Sequence, residues 1–247
     1  MAGAGPEVIQ QFVADLQRRT AHAGIRESAD SLTLAEAALR LGRAPTAAGR
    51  PLQVALIGPT QVGKSTVFNL LLGREVSPVS PLAGFTIHPF ACAVGNAAPG
   101  QATAAGDARR HEAAPEAGQV WTTEIFPGWR QTAPADLRRD DLAAYSLVTL
   151  DDATATPLAA GAPALGRTVF WDTPDFDSLA AAEYRRGVLE TAALADVYVL
   201  VLSKEKYSDL SVWNMLKLLA SLARPLIICL NKVTPDSLDA VLRSLRE

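Results

Sequence analysis

One stretch near residue 60 constrains the fold of this chain more than any other. It begins with a short apolar run at 52–57, continues as GPTQVGKS at 58–65, and ends in a helical pattern at 66–72 that Gly73 closes. The octapeptide fits the GxxxxGK[ST] pattern of a phosphate-binding loop, in the strand-then-helix context that the pattern requires. The stretch therefore predicts a nucleotide-binding loop; the alternative is a turn with a purely structural role.

The residue types in this loop suit phosphate chemistry. Glycine lets the backbone curl so that successive N–H groups point at a phosphate, and the start of the following helix adds partial positive charge. Lys64 can reach the β- and γ-phosphates, and the Ser65 hydroxyl can ligate Mg²⁺. We predict nucleotide contacts from Gly58, Thr60, Gln61, Val62, Gly63, Lys64, Ser65 and Thr66.

The order of apolar runs and helical patterns predicts the fold class. Predicted strands lie at 52–57, 85–94, 120–126, 145–150, 168–171, 197–202 and 225–230. Predicted helices lie at 66–72, 134–144, 178–194, 209–222 and 235–246. This alternation predicts an α/β, three-layer P-loop NTPase fold, with a mostly parallel sheet, helices on both faces and ligands at the carboxyl ends of the strands.

The same patterns divide the chain into two parts. Residues 1–50 form an N-terminal helical extension, with amphipathic helices at 6–19 and 31–41, and residues 51–247 form the nucleotide-binding domain, with an insertion at about 95–166. We expect the two helices to pack on the α/β core; a surface for a partner or a membrane is the alternative.

Composition narrows the possible partners and compartments. The formal net charge of −3 gives no general electrostatic footprint for nucleic acid. The two cysteines, Cys92 and Cys229, lie in apolar runs that fit reduced, buried thiols. No secretory signal and no apolar run long enough to span a membrane occurs in the sequence, so we expect a soluble, cytoplasmic protein.

Acidic residues follow the strand predicted at 168–171. Asp172 stands where a carboxylate can hold the Mg²⁺ shell, directly or through water; alternatively it is an aspartate that only caps a turn. Asp175 and Asp177 follow in the same loop. We expect these two to be turn or N-cap groups, since three carboxylates on one ion would be unusual beside a triphosphate.

With these motifs identified, the chain resembles the P-loop GTPases of the translation-factor-related class, most closely the Era-like and dynamin-like branches. The resemblance is carried by GPTQVGKSTVFNLLLG at 58–73, by Thr86 in LAGFTIHPF, by DTPDFDS at 172–178 for the DxxG motif, and by LNKVT at 230–234 for NKxD. It spans the chain from about residue 52 onward.

The resemblance implies roles for particular residues. Ser65, Thr86 and Asp172 would ligate Mg²⁺, with Thr86 as the switch I residue and 172–177 as switch II. Lys64 and Thr86 would act on the γ-phosphate, and Gln61 is the candidate to orient the attacking water, as in some dynamin-like relatives; its alternative is a loop residue that faces solvent. Asp175 N–H would meet the γ-phosphate, and Asn231 and Lys232 would frame the guanine.

Three residues depart from the family pattern. Asp175 replaces the switch II glycine, so its carboxylate is expected to turn away from the phosphate. Phe176 replaces the water-orienting glutamine, which predicts slow hydrolysis. Thr234 replaces the acid that reads guanine; Asp236 is the candidate substitute, and guanine is favoured with adenine left open. The last strand and the base-capping loop of the family are also missing, from which we expect either a fragment or a gap that the N-terminal helices cover.

The predicted function is a guanine-nucleotide-binding protein that hydrolyses GTP slowly with Mg²⁺ and acts as a molecular switch. The alternatives are a non-hydrolysing nucleotide-binding scaffold and an ATP-binding protein. The insertion carries Trp121, Phe126, Trp129 and Arg130 and is either a passive loop or a surface that reports the nucleotide state to a protein partner. Resemblance to dynamin-like proteins also implies a homodimer across the nucleotide face.

Overall fold

A computed structural model describes residues 6–23, 26–41, 51–80, 84–94, 128–150, 167–177 and 181–246 of the chain. Its helices are α1 (Pro6–His22), α2 (Arg26–Leu41), α3 (Lys64–Leu72), α4 (Ala181–Leu194), α5 (Leu210–Ala220) and α6 (Pro235–Arg246). Its strands are β1 (Leu52–Ile57), β2 (Phe90–Val94), β3 (Arg130–Gln131), β4 (Ala144–Leu150), β5 (Thr168–Asp172), β6 (Val197–Leu202) and β7 (Leu226–Leu230).

The described strands form one seven-stranded sheet in the order β3-β4-β2-β5-β1-β6-β7. β2 runs antiparallel to β5, with Phe90 opposite Asp172, and all other neighbouring strands are parallel. The carboxyl ends of β1, β5, β6 and β7 therefore meet at one edge, where parallel α/β sheets bind their ligands. The predicted fold class, a mostly parallel sheet in an α/β P-loop fold, is confirmed.

Two apolar clusters cover the two faces of the sheet. The larger cluster joins β1, β5 and β6 to α2, α4 and α5, and includes the fully buried Trp171 and Tyr198. The other cluster packs Phe68 and Leu72 of α3 against the opposite face of the same strands. Burial of this much apolar surface is what holds the helices on both faces.

Helix α2 packs on α4, and α1 packs on α2. Leu34 and Ala37 of α2 are buried in the larger cluster, and the Asp30 carboxylate accepts a hydrogen bond of 2.7 Å from Arg185 of α4. α1 packs on α2 and leaves Val8 and Phe12 about 60% exposed. Helix α2 thus lies on α4 rather than along β7; the division at residue 50 stays a prediction.

Some element boundaries differ from those predicted. The strand expected at 85–94 begins at Phe90, because the residue before it is a proline that lacks an N–H for the ladder. The helix expected at 134–144 is reduced to a 3₁₀ turn, Pro134–Asp136, since Leu137 is already extended. The strand expected at 120–126, with Trp121 and Phe126, lies outside the described residues.

β7 was expected to be a buried strand, and this prediction is wrong. Leu226, Ile227 and Ile228 are 42%, 56% and 45% exposed. The physical reason is position: β7 is the edge strand of the described sheet and pairs with β6 alone. Cys229 on this strand is half-buried, whereas Cys92 on β2 is buried as expected. Among the described residues, no helix has the length and apolar character to cross a bilayer.

Candidate nucleotide-binding site

The loop between β1 and α3 depends on two glycines. Gly63 has φ 88°, a conformation that favours glycine, and a Cβ there would lie 2.5 Å from Asn231 Nδ2. A Cβ on Gly58 would lie 2.5 Å from the Val201 carbonyl oxygen. The loop can therefore lie this close to β6 and to the residues after β7 only because both positions lack a side chain.

A cavity of about 710 Å³ opens beside this loop. Most of the residues predicted to contact nucleotide or metal line it: Thr60, Gln61, Gly63, Lys64, Ser65, Thr66, Thr86, Asp175 and Lys232. Gly58, Val62, Asp172 and Asn231 do not line it; the last three stand behind lining residues and contact or support them. Nine of the predicted residues thus come together around one space large enough for a nucleotide.

Lys64 lies at the centre of the site, and its side chain is 4% exposed. Its ammonium donates to the carbonyl oxygens of Gly58 and Pro59, both at 3.0 Å, and to the carboxylate of Asp175. An ammonium has three protons, so these three acceptors use its whole capacity. Its position at the first turn of α3, with the charge directed at the cavity, suits a phosphate group.

The residues predicted to hold Mg²⁺ fit that ion. The Ser65 and Thr86 hydroxyl oxygens are 3.4 Å apart, close to the roughly 2.9 Å that separates adjacent ligands of an octahedral ion with bonds of about 2.05 Å. Asp172 is completely buried; its Oδ2 accepts a hydrogen bond of 2.8 Å from Ser77, and its Oδ1 has no hydrogen-bond partner among the described residues. A buried carboxylate oxygen without a donor is well matched to a cation.

The charge state of Asp172 reflects the same surroundings. Burial raises the pKa of its carboxyl group, while the Ser65 and Ser77 hydroxyls and the Lys64 charge oppose the rise. Ser77 stands at this position because Asn69 holds the turn after α3, through its side-chain bonds to the Ser77 N–H and carbonyl at 2.8 Å each. Ser77 was not predicted as a site residue, and no motif in the sequence marks it.

Asn231 and Lys232 tie the end of β7 to the phosphate loop. Asn231 Nδ2 donates to the Val62 carbonyl at 2.9 Å, and Lys232 Nζ donates to the Gln61 carbonyl at 2.6 Å. Lys232 has φ 56°, and its N–H donates to Asn231 Oδ1 at 3.0 Å. These bonds place the Lys232 side chain along the cavity, where the stem of a lysine can cover a base.

Thr234 does not face the cavity. Its N–H donates to Ser237 Oγ at 3.0 Å, its carbonyl accepts from the Ser237 and Leu238 N–H groups, and it thereby caps α6. Asp236, in the first turn of α6, does not line the cavity either. Neither the Thr234 hydroxyl nor the Asp236 carboxylate is therefore placed to read a base in the cavity.

Two cavity residues, Glu205 and Lys206, were not among the predicted site residues. Both follow β6 and line the cavity with Ser203. A hydrogen bond from Ser203 lowers the pKa of the Glu205 carboxyl group. Their position directly after the carboxyl end of a parallel strand is the sequence signal that could have identified them.

The switch II residues differ from expectation. The Asp175 carboxylate does not turn away from the phosphate loop; it pairs with Lys64, and its Oδ2 accepts from the Gly84 N–H at 3.3 Å. Asp177 is not a turn or N-cap group: Oδ1 accepts from the Thr60 N–H at 2.5 Å, and Oδ2 accepts from Lys206 at 3.0 Å. Both corrections follow from positive groups that a distant part of the chain supplies.

Phe176 is 3% exposed and belongs to the larger apolar cluster, where its carbonyl accepts a hydrogen bond of 3.0 Å from Arg185. Its side chain therefore contributes to the core and does not reach the cavity. His88 is also buried, and its Nε2 lies 2.9 Å from the Asp141 carbonyl. Neither side chain is available to activate water.

Residues 53–104 match the sequence model of the family described as 50S ribosome-binding GTPase. Thirty-five residues are 60% identical to a probable tRNA modification GTPase MnmE of Cyanidioschyzon merolae, a match that covers 14% of this chain and 8% of that protein. The matched family and the loop geometry agree. Both support a P-loop GTPase. The resemblance to a P-loop GTPase that the motifs predicted is confirmed.

Solved structures with a similar chain path include Era of Aquifex aeolicus bound to GDP and aluminium fluoride, with a TM-score of 0.42 and 15% identity over 78% of this chain and 46% of that one. Era in complex with MgGDPNP and 16S ribosomal RNA has a TM-score of 0.43 and 17% identity, over 80% and 47% of the two chains. A member of an oligomerised bacterial dynamin pair has a TM-score of 0.28. This chain thus covers less than half of the length of the two Era chains.

Proposed function

We propose that this GTPase domain binds guanine nucleotides with Mg²⁺, hydrolyses GTP slowly and acts as a molecular switch. The observation that supports the proposal best is the arrangement of Lys64, Ser65 and Thr86 around the cavity, with Asp172 behind them. Phosphoryl transfer needs a lysine for the phosphates and oxygen ligands for Mg²⁺. Lys64 at the start of α3 is the lysine, and the Ser65 and Thr86 hydroxyls with the Asp172 carboxylate are the oxygen ligands.

The residues of the chain would divide the work as follows. Lys64 and the N–H groups of the phosphate loop bind the phosphates and stabilise the charge that develops on them. Ser65, Thr86 and Asp172 would hold Mg²⁺, which when bound neutralises charge between the β- and γ-phosphates. Gln61 lines the cavity and is the proposed group for positioning water. Burial of Phe176 leaves the usual glutamine position without a polar group, which supports a low rate.

Guanine recognition is the part of the proposal that the fewest residues support. Asn231 and Lys232 support it, because their bonds to the phosphate loop place them beside the cavity. Thr234 caps α6 and offers no carboxylate to the base edge. Binding of ATP is therefore the alternative that the same experiment must measure.

A second function, a nucleotide-binding scaffold without hydrolysis, is favoured by the buried Phe176 and by the Asp175 carboxylate on Lys64. A scaffold would recruit its partner in the bound state without turnover. The segment 128–150 is a candidate partner surface, since Arg139 donates to the Gly84 carbonyl next to switch I at 3.1 Å. A homodimer across the nucleotide face could supply a catalytic group in trans. We propose a cytoplasmic location for the protein under either function.

Equilibrium binding of fluorescent GTP, GDP and ATP analogues with Mg²⁺ tests the site, with Lys64→Ala as the blank. We expect guanine nucleotides to bind at least about tenfold more tightly than ATP and the blank to lose binding. Equal affinity in Lys64→Ala would refute the site, and tighter ATP binding would refute guanine preference. Multiple-turnover phosphate release that Lys64→Ala abolishes distinguishes the GTPase from the scaffold.

A further inference from the structure

The switch II carboxylates occupy the groups that bind phosphate. Asp175 lies beside Lys64 and is 7% exposed. Asp177 accepts from the Thr60 N–H and forms an ion pair with Lys206, and its side chain is 8% exposed. Two acidic side chains of one short segment are thus bound to a lysine and to a backbone N–H of the phosphate loop.

The three acceptors of Lys64 are not equally replaceable. Two of them are the carbonyl oxygens of Gly58 and Pro59, which belong to the phosphate loop itself and keep their place as long as the loop does. The third is Asp175, whose other oxygen accepts a hydrogen bond of 3.3 Å from the Gly84 N–H, the one partner it has in the described part of the chain. A phosphate oxygen that accepts a hydrogen bond from Lys64 therefore replaces Asp175 as the acceptor.

A carboxylate and a phosphate compete directly at this position. Both are anions that seek the same ammonium, and in a buried site the repulsion between them is larger than in water. Asp175 stands at the position whose N–H is expected to meet the γ-phosphate, so a nucleoside triphosphate meets its charge. A diphosphate ends one phosphate earlier and avoids that contact.

We propose that Asp175 is a nucleotide-state selectivity residue: its carboxylate holds the γ-phosphate position at Lys64, so that the site binds nucleoside diphosphate in preference to triphosphate. The inference rests on the proposed function and extends it to the terminal phosphate. Asp177 supports the arrangement, because its bonds to Thr60 and Lys206 keep the switch II segment against the phosphate loop.

Displacement of Asp175 has a defined consequence for the neighbouring switch. The Gly84 N–H loses its acceptor when the carboxylate leaves, and Gly84 is two residues before Thr86. The Gly84 carbonyl stays bonded to Arg139. Entry of a γ-phosphate is thereby linked to the loop that carries Thr86 and to the segment 128–150.

The test compares affinities for GDP and for a non-hydrolysable GTP analogue, both with Mg²⁺, on the full chain. Asp175→Asn keeps the shape of the side chain and removes its charge, Asp175→Glu keeps the charge, and Asp239→Asn on the exposed side of α6 is the matched control for the loss of one negative charge. We expect Asp175→Asn to bind the GTP analogue about tenfold more tightly, with a change in GDP affinity below about threefold. Asp175→Glu and Asp239→Asn should keep the wild-type ratio.

An equal change in both affinities, or no change in either, would overturn the role of Asp175. Asp175→Gly, which carries the residue of the family motif, decides the question if Asp175→Asn does not fold. If the wild type binds GDP and Lys64→Ala does not, the proposed function is supported, independently of the result for the Asp175 variants. Absence of GDP binding by the wild type overturns both.

Discussion

At the scale of single residues, the phosphate loop depends on the absence of a side chain at Gly63. Gly63 and Gly128 both have positive φ, at 88° and 79°. A Cβ on Gly128 meets no atom within 4 Å, whereas a Cβ on Gly63 meets the Asn231 side chain. A substitution by alanine would therefore strain the backbone at both positions, and only at Gly63 would the new Cβ also collide with another side chain.

We predict that Gly128→Ala lowers the free energy of unfolding by about 1 kcal/mol, the cost of that strain. Gly63→Ala should cost about 2 kcal/mol, because it also displaces Asn231 from its bond to Val62. Gly63→Ala should weaken nucleotide binding as well, while Gly128→Ala should not. Urea unfolding and nucleotide titration measure both; equal losses in the two variants would show that Asn231 moves aside freely.

The candidate site was predictable to the extent that its groups are contiguous in sequence. Lys64 and Ser65 could be assigned because the loop, the helix start and the side chains belong to one motif. The direction of the Asp175 carboxylate could not, because its partner Lys64 is 111 residues away. Thr234, which replaces the acid that reads guanine, caps α6 through its bonds to Ser237 three residues later.

At the scale of elements, α2 is held by its buried face. Leu34 is 1% exposed in the larger apolar cluster, and Leu210, at the start of α5, is 71% exposed. We predict that Leu34→Ala lowers the free energy of unfolding by about 2–5 kcal/mol through the cavity that it leaves. Leu210→Ala is the same chemical change at the surface and should stay within about 0.5 kcal/mol. A small effect of Leu34→Ala in urea unfolding would contradict the docking of α2.

Glu190 on α4 gives the contact between α2 and α4 a pH dependence. It is 2% exposed; Arg186 donates to it at 2.6 Å, and Arg40 of α2 lies 3.8 Å away. Burial raises the pKa of its carboxyl group above the usual 4.5, more than the hydrogen bond of Arg186 and the charges of Arg186 and Arg40 lower it. The folded protein therefore holds this proton more tightly than the unfolded chain does.

Because the pKa of Glu190 is raised on folding, its contribution to stability is present below about pH 4.5 and is lost as the pH rises through the folded-state pKa. We predict that Glu190→Gln gains stability relative to the wild type as the pH is raised from about 4 to about 7. Glu75→Gln, on the exposed turn after α3, is the matched control. Urea unfolding at a series of pH values should show this trend for Glu190→Gln; a difference that stays flat with pH would contradict it.

At the scale of the whole molecule, switch II is connected to two other parts of the chain, α2 and the segment 128–150. Asp30 of α2 binds Arg185, which donates to the Phe176 carbonyl. On the other side, Arg139 contacts Gly84, whose N–H donates to Asp175. Switch II is therefore linked to α2 through Arg185 and to the segment 128–150 through Gly84.

A ligand that binds only the folded state should stabilise the molecule as a unit. At a GDP concentration of about 100 times the dissociation constant, we predict a gain of about 2.7 kcal/mol in the free energy of unfolding. For a domain of this size, that corresponds to a rise in melting temperature of about 5–10 °C. Thermal unfolding with and without Mg–GDP measures it, and Lys64→Ala should show no shift. A shift of the same size in that variant would place the ligand elsewhere.

The sequence by itself determined the fold class, the phosphate loop and the approximate place of most elements, because each is set by residues that are neighbours in the chain or repeat at a fixed period. β1, β6 and α6 begin and end where the sequence predicts. Tertiary structure alone decided that Phe176 belongs to the core, that β7 is an exposed edge, and that Asp177 binds Thr60 from 117 residues away. Those outcomes depend on which distant groups the folded sheet brings into contact, and local patterns carry no record of such contacts.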